Sequence, residues 1–121
     1  MIKLDLPYPI SVNRYWKFWQ GSPRVSKEAK AYKQEVALIA KIAGANPVDG
    51  DVKVTIVLHP KQNQDGSPSR TRMDLDNTQK VALDALNGIA YMDDKQIVHI
   101  VTSLGEAKPK GGLSVSVKSF D

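Results

Sequence analysis

Apolar and polar residues alternate with period two from Ile2 to Leu6 and again from Asp51 to Leu58, where Val52, Val54, Ile56 and Leu58 share one face with Lys53 and Thr55 opposite. In an extended chain that period sends alternate side chains to opposite faces, so both stretches read as strands with one buried face. Pro7 and Pro9 close the first, because proline has no N–H to give to a ladder. Between the two strands the period changes. After Ser26, the residues Ala29, Tyr32, Val36, Ile39, Ala40 and Ala43 recur at steps of three and four, which predicts a helix capped by Ser26 and ended by Gly44. A second helix is read from Leu75, Thr78, Ala82, Ala85 and Leu86, with Asp74 or Asp76 as its cap and Asn87-Gly88 as its end. Two more strands follow, Gln96 to Leu104 and Leu113 to Phe120, connected through Pro109 and Gly111-Gly112.

Two stretches follow neither period. From Asn13 to Trp19 aromatics alternate with Arg14 and Lys17, a pattern that leaves strand and loop both open, and Gly21-Ser22-Pro23 closes it as a turn. The polar run from His59 to Arg72, with a turn at Asp65-Gly66-Ser67-Pro68, predicts a mobile surface loop. The resulting order is β-α-β-α-β-β. Strands and helices mixed without strict alternation point to an α+β architecture, a small mixed sheet of about four strands with two helices packed on one face. At 121 residues the chain has material for one core, so a single domain spanning 1–121 is expected.

Charge adds a direction. Lys and Arg number 17 against 13 Asp and Glu, a net +4 that suits a polyanionic partner but is also common for solubility alone. The cations fall in three groups: Arg14, Lys17, Arg24, Lys27, Lys30 and Lys33; Arg70 and Arg72; Lys108 and Lys110. The acids bunch instead, as Asp74, Asp76, Asp84, Asp93 and Asp94. Having no cysteine, the chain excludes disulfides, thiolate metal sites and a Cys nucleophile. No apolar run approaches the roughly 20 residues of a membrane span, and Asp5 and Pro7 interrupt the start where a signal peptide is apolar, so a cytoplasmic protein is expected. Phosphate-binding glycine loops and paired histidines are absent too. Chemistry therefore falls to the carboxylates, hard oxygen ligands suited to Mg²⁺ or Mn²⁺.

Each carboxylate has an ordinary structural explanation. Asp and Asn in Asp74-Leu75-Asp76-Asn77 are favoured helix starters, and Asp76, Lys80 and Asp84, four residues apart, make a solvated ion-pair ladder on one helical face. The functional reading is a metal-carboxylate site with an ammonium beside it for a scissile phosphate. In favour of that reading, Asp93-Asp94 lies just past the helix, before a strand, so a helix packed on that strand would bring the second acidic pair near the first. Phosphodiester hydrolysis needs carboxylate-held metal and cations for the nucleic-acid backbone together. The pattern alone leaves open a nuclease, a non-catalytic nucleic-acid-binding module and a surface with neither role.

The run Asp74-Leu75-Asp76-Asn77-Thr78-Gln79-Lys80-Val81-Ala82-Leu83-Asp84-Ala85-Leu86, followed by Asp93-Asp94-Lys95-Gln96-Ile97, resembles the signature of the RusA family of Holliday junction resolvases, D-L-D-N-x-x-K-x-x-x-D-A-L then D-D-x-Q-V. The resemblance extends to Asn13-Arg14-Tyr15, to the Ser26 helix with Ala31-Tyr32, to the overall length and to Lys110-Gly111-Gly112 before the last strand. It implies a homodimeric, Mg²⁺-dependent endonuclease, with Mn²⁺ as a substitute, that resolves four-way DNA junctions by paired symmetric nicks in recombination and repair, in a family often encoded by phages and prophages. By the same resemblance Asp74, Asp76 and Asp94 form the acidic metal site and Lys80 is the motif lysine. Asp93 and Asp84 match as well, the first also suited to capping a turn and the second to pairing with Lys80. One departure is Met73, where family members can carry a basic residue, a role that falls to Arg70 or Arg72 here. DNA contacts are expected from Asn13, Arg14, Lys17, Arg70, Arg72, Lys108 and Lys110. Trp16, Phe18 and Trp19 suit base stacking, core or dimer packing, or anchoring of another protein. The dimer's expected interface is the exposed sheet face or edge, including the terminal strand Leu113 to Phe120, or the stretch Tyr15 to Trp19. A nuclease acting on other branched DNA and a DNA-binding protein without catalysis remain the competing readings.

Overall fold

The computed structural model describes residues 1–19 and 22–120, with the backbone alone for 17–19, 22 and 23. In chain order the elements are β1 (Ile2–Leu6), α1 (Val12–Tyr15), β2 (Trp16–Trp19), β3 (Ser22–Val25), α2 (Lys27–Ile42), β4 (Val52–His59), α3 (Leu75–Leu86), β5 (Ile97–Leu104) and β6 (Gly112–Ser119), with a 3₁₀ turn at Asp94–Gln96 leading into β5. Four strands form a mixed sheet in the order β1-β6-β4-β5, and β2 and β3 form a separate hairpin. β6 lies antiparallel to both β1 and β4, whereas β4 and β5 run parallel. Parallel neighbours cannot be joined by a tight turn, and α3 supplies the crossover between them.

The mixed sheet with its helices matches the α+β expectation. The aromatic stretch left open by the sequence adds a third, short helix, α1, and the β2–β3 hairpin. Although β5 and β6 are consecutive, they do not pair, because β4 lies between them. The glycine-rich connection therefore crosses the end of β4. Gly111 turns there with φ +68°, a backbone region that disfavours side chains, and a Cβ at this position would come within 3.0 Å of the His59 carbonyl oxygen.

The core follows the two periods. Val52, Val54, Ile56 and Leu58 are fully buried on one face of β4, and Leu4, Leu6, Leu113, Val115 and Val117 extend that face across β1 and β6. α2 covers it with Ala29, Tyr32, Val36 and Ala40, and α3 with Val81, Ala82, Ala85 and Leu86. Ser26 caps α2 as expected, its hydroxyl oxygen accepting the Ala29 N–H at 3.1 Å while donating to the Arg14 carbonyl at 2.5 Å. The polar run after β4 lies on the surface as expected, and it carries hydrogen bonds of its own. Asn63 N–H donates to the Ser67 carbonyl, Ser69 N–H to the Lys61 carbonyl, and Asp65 accepts both the N–H and hydroxyl of Ser67.

The sheet has two edges, β1 and β5. β6 is interior, paired on both sides, so that terminal strand offers a partner its outer face and no free edge. The edges differ in chemistry. β1 is short and carries Lys3 and Asp5 with Pro7 beyond it, devices that discourage another strand from adding on. β5 has eight residues, no charge and no proline, and leaves Val98, Val101 and Leu104 exposed.

Ile56 sits at the centre of the central strand with no exposure. Ile56→Ala should destabilise the fold by about 2–4 kcal/mol through lost burial and an unfilled cavity, read as a lower urea midpoint. A loss below about 1 kcal/mol would show that the core collapses around the site and is not close-packed there.

Candidate active site

Parallel pairing of β4 with β5 makes α3 run back against them, and this direction distributes the acidic residues. Asp74 is the N-cap of α3: its Oδ1 accepts the Asn77 N–H at 2.8 Å and its Oδ2 the Asn77 side-chain amide at 3.1 Å. The Thr78 hydroxyl donates to the Asp74 carbonyl at 2.8 Å. Asp76 lies in the first turn and pairs with Lys80 at 3.4 Å, both side chains being well exposed. An exposed pair of this kind contributes only about 0.3–0.5 kcal/mol, so it opens readily for a competing anion.

Two clefts flank α3. The first, about 570 Å³, lies at its N-terminus, where Asp74 and Asn77 face Arg14, Lys61 and Arg72. The second, about 400 Å³, lies along the C-terminal half and is lined by Trp16, Lys80, Leu83, Asp84, Asn87 and Asp94. Asp94 is thus beside the far half of α3 from Asp74, and among the described residues no three His, Asp or Glu side chains gather as a metal-binding group. The expectation that packing would bring the second acidic pair onto the first is not met in one chain. A helix of 12 residues is about 18 Å long; Asp74 and Asp76 stand at its start, and Asp94 lines the cleft that runs from Lys80 to Asn87. Lys80 links them, since it lines the second cleft while its ammonium pairs with Asp76.

Asp93 and Asp84 have partners of their own. Asp93 caps the 3₁₀ turn in a capping box with Gln96, and the Lys95 N–H donated to its carboxylate holds that carboxyl below the usual range. Asp84 does not pair with Lys80 as the ladder suggested. It accepts the hydroxyl of buried Tyr15 and stands 3.5 Å from Lys33, tying α1 and α2 to α3. Burial, then the hydrogen bond and charge of Asp84, push the Tyr15 phenol far above its ordinary value, so it stays a donor. Tyr91 is shifted the same way by burial and by the negative charges of Asp94 and Asp84, and its hydroxyl donates to the Leu83 carbonyl at 2.6 Å.

Of the expected DNA-contacting residues, Arg14 and Arg72 reach the first cleft, Arg14 while pairing with Glu28 at 2.6 Å. Asn13, Arg70 and Lys110 are exposed outside both clefts, and Lys108 bridges through its backbone to Lys61. The Lys17, Phe18 and Trp19 side chains fall outside the described residues. Trp16 is half-buried, its ring 4.4 Å from that of Tyr15, and it walls the second cleft. Sequence reasoning missed Lys61 and Tyr8. Neither lies in a periodic stretch, and only the fold brings them beside Asp74.

The family model described as endodeoxyribonuclease RusA matches residues 7–118. A crossover junction endodeoxyribonuclease RusA from Escherichia coli K12 is 40% identical over 97 residues, covering 78% of this chain and 75% of the relative. One from Enterobacteria phage 82 is 39% identical over 101 residues, with the same coverage. Its counterpart from Shigella sonnei is 38% identical over 97 residues, again covering 78% and 75%. With a family match across nearly the whole chain and relatives of this identity over most of it, the chain belongs to the RusA family of endodeoxyribonucleases.

Proposed function

We propose that this protein is a metal-dependent endodeoxyribonuclease that resolves four-way DNA junctions by paired, symmetric nicks, working in the cytoplasm as a homodimer built from one catalytic domain per chain. The observation that carries it is the placement of Asp74, Asp76 and Lys80 on α3 between two clefts, one walled by cations and the other by Asp94, in a chain of this family. The phage relative fits a phage or prophage origin.

The phosphodiester chain is an anion of high charge density, and Arg14 and Arg72 supply the counter-charge that holds it against the N-terminal end of α3. When a phosphate reaches Lys80, the ammonium exchanges Asp76 for a non-bridging oxygen and stabilises the charge that builds there as the bond breaks. Asp74 and Asp76 at the start of α3 and Asp94 in the second cleft are the carboxylates that would offer oxygens to a divalent ion, Mg²⁺ or its substitute Mn²⁺. The donor chemistry fits: hard oxygens suit either ion, and Mg²⁺ commonly takes one or two protein carboxylates with water and substrate phosphate filling its other positions. When bound, such an ion supplies an activated water and neutralises charge on the phosphate. Arg70, Lys108, Lys110, Asn13 and Lys17 extend the contact to more distant phosphates.

A junction has two equivalent strands to cut, and one chain offers one set of these residues, so two chains are required. The uncharged outer edge of β5 supports a second copy there, added antiparallel across a twofold axis. Light scattering at micromolar concentration should give twice the 13.3 kDa chain mass. Val101→Lys, which plants a charge on each side of that edge, should shift the mass toward one chain. A monomer that still makes both cuts in one binding event would overturn the dimer.

Asp74→Asn, Asp76→Asn and Asp94→Asn should each slow cleavage of a synthetic mobile junction about 10²-fold or more while binding it as tightly or more tightly, because each loses a ligand yet repels phosphate less. Full cleavage by any of the three removes that residue from the site. The same gel run with Mg²⁺ or with EDTA separates a nuclease from a DNA-binding protein without catalysis, and other branched substrates test the junction preference.

Lys80→Ala should cost about 10²-fold in cleavage rate, whereas loss of a surface ladder alone would cost about 0.3–0.5 kcal/mol of stability and leave turnover unchanged. Normal turnover by this variant would assign Lys80 to the ladder.

A further inference from the structure

We propose that Tyr8 is a positioning residue for the Asp74 end of the site and that Lys61, held over its ring, contacts the DNA backbone in the same cleft; this rests on the catalytic role of Asp74 given above. Tyr8 lies between Pro7 and Pro9, just beyond β1. Its hydroxyl accepts the backbone N–H of Met73 at 2.9 Å, and Met73 immediately precedes Asp74. On the helix side, Asn77 holds the Asp74 carboxylate and Thr78 its carbonyl. The Tyr8 hydroxyl fixes the other side. The peptide that leads into Asp74 is thus held from both directions, which sets where the carboxylate points.

The ring has a separate task. Lys61 Nζ stands 5.1 Å from its centroid, within cation–π range, and Lys61 lines the cleft with Asp74, Arg14 and Arg72. Space for the ring is made by Gly111, where a Cβ would meet Tyr8 Cδ2 at 2.7 Å and Lys61 Cγ at 3.1 Å. Ring packing alone does not need a hydroxyl. A loop N–H at an exposed helix start would otherwise be satisfied by water, whereas a displacement of about 1 Å at a reacting group can cost about 10²-fold in rate.

Tyr8→Phe removes the hydroxyl and keeps the ring; Tyr8→Leu removes both functions. The assay measures single-turnover cleavage, junction affinity without divalent metal, and the urea unfolding midpoint, with Asp74→Asn and Lys61→Ala alongside. Tyr8→Phe should lower the cleavage rate about 10-fold with affinity and midpoint close to the parent, the split expected of a group acting through a catalytic one. Tyr8→Leu should lose affinity as well. Lys61→Ala should weaken binding and reduce the salt dependence of log affinity by about one unit of slope, one phosphate contact. Parental cleavage by Tyr8→Phe while Asp74→Asn is inactive overturns the positioning role. A lower unfolding midpoint with a normal rate for the folded protein also overturns it, as the mark of a structural bond only. Unchanged affinity and salt slope in Lys61→Ala overturn the phosphate contact. If Asp74→Asn itself cleaves normally, the catalytic reading fails and this proposal with it.

Discussion

The parallel pairing of β4 with β5 is the constraint on which the rest of the site depends. It demands a crossover, the crossover is α3, and α3 must run against the strands it joins. Its N-terminus then meets the loop that follows β4, which brings Lys61 and Arg72 beside Asp74. Its C-terminal half meets the turn that leads into β5, which brings Asp94 beside Lys80 and Asp84. Cations gather at one end and a second carboxylate at the other because of topology, before any side-chain preference acts.

Orientation of α3 about its own axis is settled by a different set of contacts. Val81, Ala82, Ala85 and Leu86 turn one stripe to the sheet, and Asp84 emerges at the border of that stripe to accept the Tyr15 hydroxyl and face Lys33. A carboxylate so placed would be costly if left alone, and a phenol plus an ammonium offset its partial desolvation. α1 is fixed by the same contact. Since Arg14 and Trp16 flank Tyr15 in sequence and wall different clefts, one buried ring sets the separation between the two.

Period and capping made most of the fold legible: the strands at Ile2–Leu6 and Val52–His59 and the helices started by Ser26 and Asp74 follow from side-chain alternation and free N–H groups. Strand order did not follow, because β6 inserts between β1 and β4 by pairings far apart in the chain, which no local pattern encodes. The α1 segment was ambiguous because a four-residue helix and a four-residue strand leave too few residues for a period to show. At the site, the residues of the central motif were readable because they share one helix. Tyr8 and Lys61 were not, since their relation to Met73 and to each other exists only after β1 and the end of β4 are side by side with the loop before α3.

The position of β6 also governs when the molecule can act. β1 is synthesised well before β6 yet pairs only with it, and β4 lacks its second neighbour until β6 has been made. A nascent chain that has already exposed Asp74, Asp76 and Lys80 still lacks a closed sheet under them, and the Gly111 turn beside the Tyr8 ring has not yet been made. Long-range pairing of this kind slows folding, and here it makes assembly of the cleft wait for β6. The order of strands in the sheet in this way withholds the assembled clefts from chains that have not yet made β6.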